Sequence, residues 1–301
     1  MRKGVTLSSS MSSRRDSYFY PSLCLFLVLL ILLLCTFRDY GVSWDENFHR
    51  QYGQAILEFF LSLGKDRRAV TGAGIVRNIS SYGGLFDMFT AFVSRAIHTN
   101  EYLTAHFFNA LSGIVGIFGV WCTARFLFDG RIAFFSSLLL ATVPMYYGHM
   151  FMNPKDIPFA ATYIWALYAL IRFVTEMPYP RTRVLVLMIF ATGFCLGIRI
   201  GGILIWIYLA LIFGLYALLM HEQRPSRKQI LGTSLFFAKK LLLACLGSYF
   251  IATLFWPNQI VHPVIGPLKG LKLLSGFSMG SNSPTYVPHY FLIQLPEFWS
   301  I

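Results

Sequence analysis

Apolar residues run through this chain in long blocks, and charged residues are nearly all confined to the segments between them. Such blocks cover residues 21–37, 105–127, 132–150, 157–174, 184–200, 202–220 and 235–255. Each is close to the roughly 20 residues that a helix needs to cross a ~30 Å hydrocarbon layer. The stretch 184–220 is too long for one crossing and is interrupted by Gly197-Ile198-Arg199-Ile200-Gly201-Gly202, which predicts a helical hairpin with Arg199 at its turn. A different pattern governs residues 46–63. Phe48, Tyr52, Ala55, Ile56, Phe59, Phe60 and Leu63 recur at helical spacing, while His49, Arg50, Gln51, Gln54 and Glu58 fall on the other face. That pattern predicts an amphipathic helix lying in the membrane interface.

Leu85–Ile97 is apolar but carries Asp87 and Arg95. Its thirteen residues reach only about 20 Å as a helix, short of a crossing. Charge bias decides the same way. If this segment stays on the outer surface, ten Lys and Arg of the short loops that follow face the cytoplasm, and only Lys155 and Arg199 face outward. If it crosses, the bias inverts. The prediction is therefore an all-α polytopic membrane protein with about seven transmembrane helices. Its N-terminus is inside, and a large first outer loop over residues 38–104 carries interfacial amphipathic helices.

Composition agrees: of 301 residues, 56% are hydrophobic and 13% charged, against about a quarter charged in soluble domains. The polar surface is too small to cover a water-soluble globule. A net charge of +12 and a pI near 9.6 raise the question of a nucleic-acid partner. Sorted by predicted side, 14 basic and 4 acidic residues lie inside, and 11 and 9 lie outside. The basic excess is thus a topology signal, and no nucleic-acid partner is expected. Cys24, Cys35, Cys122, Cys195 and Cys245 all lie in apolar blocks with no CxxC spacing, as small buried hydrophobes do. Residues 1–20 form a basic cytoplasmic leader; no small-x-small site follows the first block, so a retained signal anchor is expected. Residues 21–301 then form one transmembrane domain. Residues 290–301 begin an eighth apolar helix that stops after a few turns, the pattern of a truncated protein or gene fragment.

Two outer segments concentrate chemistry. Asp45 and Glu46 open the amphipathic helix beside the first crossing. Adjacent carboxylates at a membrane surface can hold a divalent metal or act as a general base. They also suit a helix start, since Ser43-x-x-Glu46 fits a capping box and acids favour the first turn. The second segment, Met152-Asn153-Pro154-Lys155-Asp156-Ile157-Pro158, enters the fourth crossing. There Asp156 caps the helix or serves a site, and Lys155 snorkels or pairs with a phosphate. Arg199 anchors the interface or binds phosphate through its planar fork. His49, His106, His149 and His289 fall outside the cytoplasm without HxxxH or HExxH spacing, so they read as interfacial residues. Asn78-Ile79-Ser80 is a formal glycosylation sequon.

Taken in order, the features form a series. One crossing leads to an outer loop with Asp45-Glu46, an amphipathic helix and Tyr82-Gly83-Gly84-Leu85-Phe86. A crossing ending in Ala124-Arg125 and Asp129-Gly130-Arg131 follows, then Lys155-Asp156 and a Gly197-x-Arg199-x-Gly201 hairpin. The series resembles the N-terminal membrane half of the GT-C glycosyltransferases over roughly residues 20–300. Within these it is similar to the protein O-mannosyltransferase and aminoarabinose (lipid A) transferase group.

The resemblance implies an enzyme that moves a sugar from a polyprenyl-phosphate donor to a protein or glycolipid acceptor hydroxyl outside the cytoplasm. A single displacement implies inversion. It implies a catalytic set of Asp45 as base with Glu46 and Asp156. The chemistry also needs positive charge on the departing phosphate, supplied either by Lys155 and Arg199 directly or by a divalent metal, Mg or Mn, held partly by Glu46 or Asp156. Where the mannosyltransferases carry His-Pro-Pro-Leu-Gly-Lys before their second crossing, this chain has Tyr82-Gly-Gly-Leu-Phe, and family members continue for several more crossings. The expected location is an integral, multi-pass position in a bacterial plasma membrane, favoured over the endoplasmic reticulum. A transporter or flippase would place polar groups at mid-membrane and repeat its halves, and neither is visible. A family member that has lost catalysis stays open as the alternative.

Overall fold

In the computed structural model, residues 17–43, 45–73, 79–177, 179–222 and 227–275 are described, and all their regular structure is helical. In chain order the helices are α1 (Phe19–Thr36), α2 (Glu46–Leu61), α3 (Arg68–Thr71), α4 (Leu85–Ala96), α5 (Glu101–Leu127), α6 (Gly130–Thr142), α7 (Pro144–Met152), α8 (Asp156–Thr175), α9 (Thr182–Ile198), α10 (Ile203–Glu222), α11 (Arg227–Thr253), α12 (Pro257–Val261) and α13 (Ile265–Ser275). Short 3-10 turns occupy Ile79–Ser81 and Ile200–Gly202. The leader up to residue 16, the sequon residue Asn78, and residues 276–301 with His289 and the eighth-helix pattern lie outside the described residues.

Among the described residues, α1, α5, α8 and the Leu235–Thr253 part of α11 are long and apolar enough to cross a membrane, and α6, α9 and α10 supply three shorter apolar helices. These follow the seven predicted blocks in order. The protein is an all-α polytopic membrane protein. Its outward residues explain why: α1 buries Leu29 and Leu33 but exposes Leu23, Leu27, Ile31 and Leu34, a surface that only lipid can solvate.

Two groups of helices share the bundle. In the first, α5 touches α1, α6, α7 and α8. Its stripe of Gly113, Gly116 and Gly119 lets α7 and α8 approach so closely that an added Cβ would meet Met150, Tyr146 or Ile164 at 2.3–2.8 Å, the small-residue packing of membrane helices. In the second, α8, α9, α10 and α11 close on Ala166, Phe173, Met188, Ile205 and Phe237.

The third predicted crossing, residues 132–150, departs from a single helix. It breaks into α6 and α7 at Val143, which is extended at φ −68° and ψ 113° with Pro144 opening α7. Proline has no N–H to continue the ladder and pushes its predecessor out of the helical region. The second crossing also starts earlier than predicted. The Asn100 side chain accepts from the backbone N–H groups of Tyr102 and Leu103 at 2.9 and 3.2 Å, so α5 begins at Glu101.

The connection α1–α2, the connection α7–α8, the turn α9–α10 and the segment after α11 meet at one end of the bundle, with α2–α4. Helix α4 runs alongside α2 and rests on α5 and α9; it stays at this end. The apolar face of α2 differs from expectation. Tyr52, Ala55, Ile56 and Phe59 are covered by protein, with Ala69, Ile79, Met88 and Val261 around them, instead of facing lipid. Gly83 seals this layer onto the bundle. A Cβ there would stand 2.1 Å from the Gly197 carbonyl oxygen, a backbone obstacle that cannot rotate away. Gly83→Ala is expected to destabilise the protein by about 1–3 kcal/mol, read as a lower melting temperature in detergent; an unchanged value would show that the layer is free to lift.

Candidate active site

The chain leaving α1 is pinned before it reaches α2. The Tyr40 ring stacks on Phe151 of α7 with centroids 4.1 Å apart. Three residues on, the Ser43 hydroxyl lies 2.9 Å from Asp45 Oδ1 and 3.0 Å from the Met152 carbonyl oxygen. Its single proton serves one of them at a time. Asp45 occupies the N-cap position of α2 without capping through its side chain. The capping box read from Ser43 and Glu46 does not form, because Ser43 turns to Asp45 and α7 while Glu46 turns inward. Asp45 is half-buried, and among the described residues no Lys, Arg or His forms an ion pair with it.

Glu46 is 3% exposed and lies 3.0 Å from Nε2 of His106, itself 2% exposed, on α5. A second buried acid, Asp87 of α4, faces two bases. His49 Nδ1 stands 3.4 Å from it, and Lys155 Nζ donates to Oδ2 at 3.1 Å. Lys155 also donates to the Gly83 carbonyl oxygen at 2.6 Å. Burial opposes charge on Asp87, but the Lys155 ammonium and the His49 imidazole outweigh it and hold the carboxyl below its usual range. A small cavity lined by Glu46, His49, Arg50, Asp87 and Glu101 separates the two buried acids.

The remaining pair lies nearer the surface. Arg199, at the α9–α10 turn, holds Asp156 at 2.8 Å, and both are substantially exposed. Asn153 Nδ2 donates to Asp156 Oδ2 at 3.0 Å, and its Oδ1 accepts the Asp156 backbone N–H at 2.8 Å; the N-cap position of α8 itself is Lys155, whose side chain makes no cap bond. The Tyr82 ring takes Lys155 Nζ and the Arg199 guanidinium at 5.7 and 5.8 Å from its centroid, linking the buried cation to the exposed one.

Of the residues singled out from sequence, Asp45 and Glu46 share one helix start but point to different partners. Lys155 neither snorkels nor stands free for a phosphate; it is buried and bonded twice. Arg199 and Asp156 are brought together. Glu46 and Asp156 have separate partners, and among the described residues no group of three or more His, Cys, Asp or Glu is arranged to hold a metal ion. Asp87, His49 and His106 were not singled out as site residues. The signal for His106 was a polar ring inside an apolar block; for Asp87 it was a carboxylate on the face that also carries Thr90, Ala91 and Ser94, all buried.

The family model described as dolichyl-phosphate-mannose-protein mannosyltransferase matches residues 85–261, more than half of the chain. The class is thereby defined: a membrane-integral glycosyltransferase of the GT-C type, mannosyltransferase-like. The chain belongs to the dolichyl-phosphate-mannose-protein mannosyltransferase family. No curated protein and no solved structure matches it. The matched residues take in Asp87, His106, Lys155, Asp156 and Arg199 and begin after Asp45 and Glu46.

Proposed function

We propose that this protein transfers a sugar, mannose by the description of its family, from a polyprenyl-phosphate donor to a protein hydroxyl on the extracytoplasmic side of the membrane, inverting the anomeric carbon. The observation that supports this reading is that one end of the bundle carries both Asp45, a half-buried carboxylate with no ion-pair partner among the described residues, and Arg199, a part-exposed guanidinium whose only ion-pair partner among them is the exposed Asp156.

The donor's tail stays in the bilayer and its phosphate lies at the level of these residues. Asp45 accepts the proton of the acceptor hydroxyl as its oxygen attacks the anomeric carbon. The bond from that carbon to the phosphate oxygen breaks, and polyprenyl phosphate leaves with the electron pair. Arg199 meets the growing phosphate charge, exchanging Asp156 for it; the planar fork suits two phosphate oxygens at once. Lys155 acts one layer below, through Gly83 and Asp87.

The test is transfer by membranes containing the full chain, given polyprenyl-phosphate mannose and a Ser/Thr peptide, with the product's anomeric configuration read by NMR. Inverted product is expected; no transfer, or retained configuration, overturns the reading. Arg199→Gln is expected to lower kcat/KM for the donor by about 10²-fold, and Arg199→Lys to restore only part of it, because an ammonium cannot reproduce the fork. Asp156→Asn, which frees Arg199, should cost far less; equal losses in Arg199→Gln and Asp156→Asn would assign the pair a purely structural role.

A further inference from the structure

Glu46 adjoins the proposed base, and its burial has a single visible cause. Among the described residues its Oε2 is held by His106 alone, and Oε1 has no protein partner. A buried carboxylate is costly unless hydrogen-bonded, so His106 is what allows Glu46 to point inward. His106 belongs to α5, the helix at the centre of the first group, and sits one turn into it. Further along, α2 is tied to the same helix start by Arg50 and Gln54, which donate to Glu101 at 3.2 and 2.6 Å. Among the described residues the first turn of α2 meets α5 through two bonds: Asn47 Oδ1 accepts from the Tyr102 hydroxyl at 3.3 Å near the helix surface, and the buried Glu46–His106 bond lies next to Asp45.

We propose that His106 is a positioning residue for Asp45: by donating through Nε2 to Glu46 it fixes the rotation of the first turn of α2, and with it the direction of the Asp45 carboxylate. The Ser43 hydroxyl, donating to Asp45 Oδ1, holds the carboxylate from the α1–α2 connection, and His106 holds the neighbouring residue from α5. Two anchors on opposite sides fix a direction, which one anchor cannot. The consequence is catalytic rather than adhesive, because a displacement of about 1 Å at a reacting group can cost on the order of 10²-fold in rate.

The proposal rests on Asp45 being the base, so Asp45→Asn is run alongside. In the full chain, His106→Leu is expected to lower kcat by about 10–10²-fold while KM for polyprenyl-phosphate mannose changes less than about twofold. His106→Gln places an amide donor near the Nε2 position and is expected to recover most of the loss. Glu46→Leu, which removes the acceptor at little change in volume, reads the same bond from its other end and keeps the test decisive if His106→Leu does not fold. Wild-type kcat in folded Glu46→Leu or in folded His106→Leu overturns the proposal, as does an equal loss in His106→Gln and His106→Leu. If Asp45→Asn itself transfers normally, the assignment of the base has failed; an inactive Asp45→Asn beside a fully active His106→Leu removes His106 alone.

Discussion

Asp45→Asn is expected to reduce sugar transfer by about 10²–10⁴-fold, the loss typical of a missing general base, with no change in folding or membrane insertion. The side chains are nearly isosteric, and the Ser43 hydroxyl can donate to an amide oxygen as it does to Oδ1. Asp45 makes no cap bond and has no ion-pair partner among the described residues, so its charge contributes little to holding the fold together. Stability and rate should therefore separate cleanly. The variant's melting temperature in detergent should stay within a degree or two of the parent, the range of a surface substitution away from special features, while single-turnover transfer collapses. Transfer at the parental rate would remove Asp45 from the mechanism and move the search for a base to the other carboxylates at this end of the bundle.

Lys155→Met should have the largest effect on stability. It leaves the Asp87 carboxylate buried with His49 as its only base among the described residues and removes the Lys155 donor from the Gly83 carbonyl oxygen. Removing one partner of a buried ion pair typically costs about 3–5 kcal/mol, because the orphaned charge keeps its desolvation penalty. Adding Asp87→Asn to Lys155→Met should recover much of the loss, since no buried charge is then left without its counter-charge. The sign with pH follows from the depressed Asp87 carboxyl. The stabilisation is fully present above the ordinary carboxylate range and is lost as pH falls through the lowered native value. The deficit of Lys155→Met relative to the parent should therefore narrow as pH falls through that range, because protonating Asp87 removes the orphaned charge in the variant and the paired charge in the parent. A melting temperature equal to the parent's, or a double variant no better than the single, would show that the pair does not clamp α4 to the α7–α8 connection.

The bundle was largely legible in the chain because lipid imposes a length on every crossing helix and charge bias assigns the loops. The same two rules kept Leu85–Ile97 from being counted as a crossing. What escaped was everything decided by residues distant in sequence. The apolar stripe of α2 declared that its face is covered, but not by what; Tyr52 and Ile56 meet α3, α4 and the segment beyond α11 instead of lipid. Lys155 reads alone as a free cation, and only the fold brings Asp87, 68 positions away, to within 3.1 Å. His106 and Glu46 are 60 positions apart and carry no local sign of each other. The acids adjacent in sequence, Asp45 and Glu46, were found easily; that they face different ways was not, since a helix start turns successive side chains by about 100°.

The break at Val143-Pro144 has a mechanical consequence. Because α6 and α7 share no continuous hydrogen-bond ladder there, the pair behaves as two rods with a joint. Helices adapt to bilayers of different thickness by tilting, and α6 can tilt without carrying α7 with it. Helix α7 is seated independently, through Tyr146 on the Gly113 carbonyl oxygen and Tyr40 on Phe151. Ser43 stands between Asp45 and the Met152 carbonyl oxygen at the end of α7, so a change of tilt in α6 is expected to leave the Asp45 end of the bundle where α7 holds it.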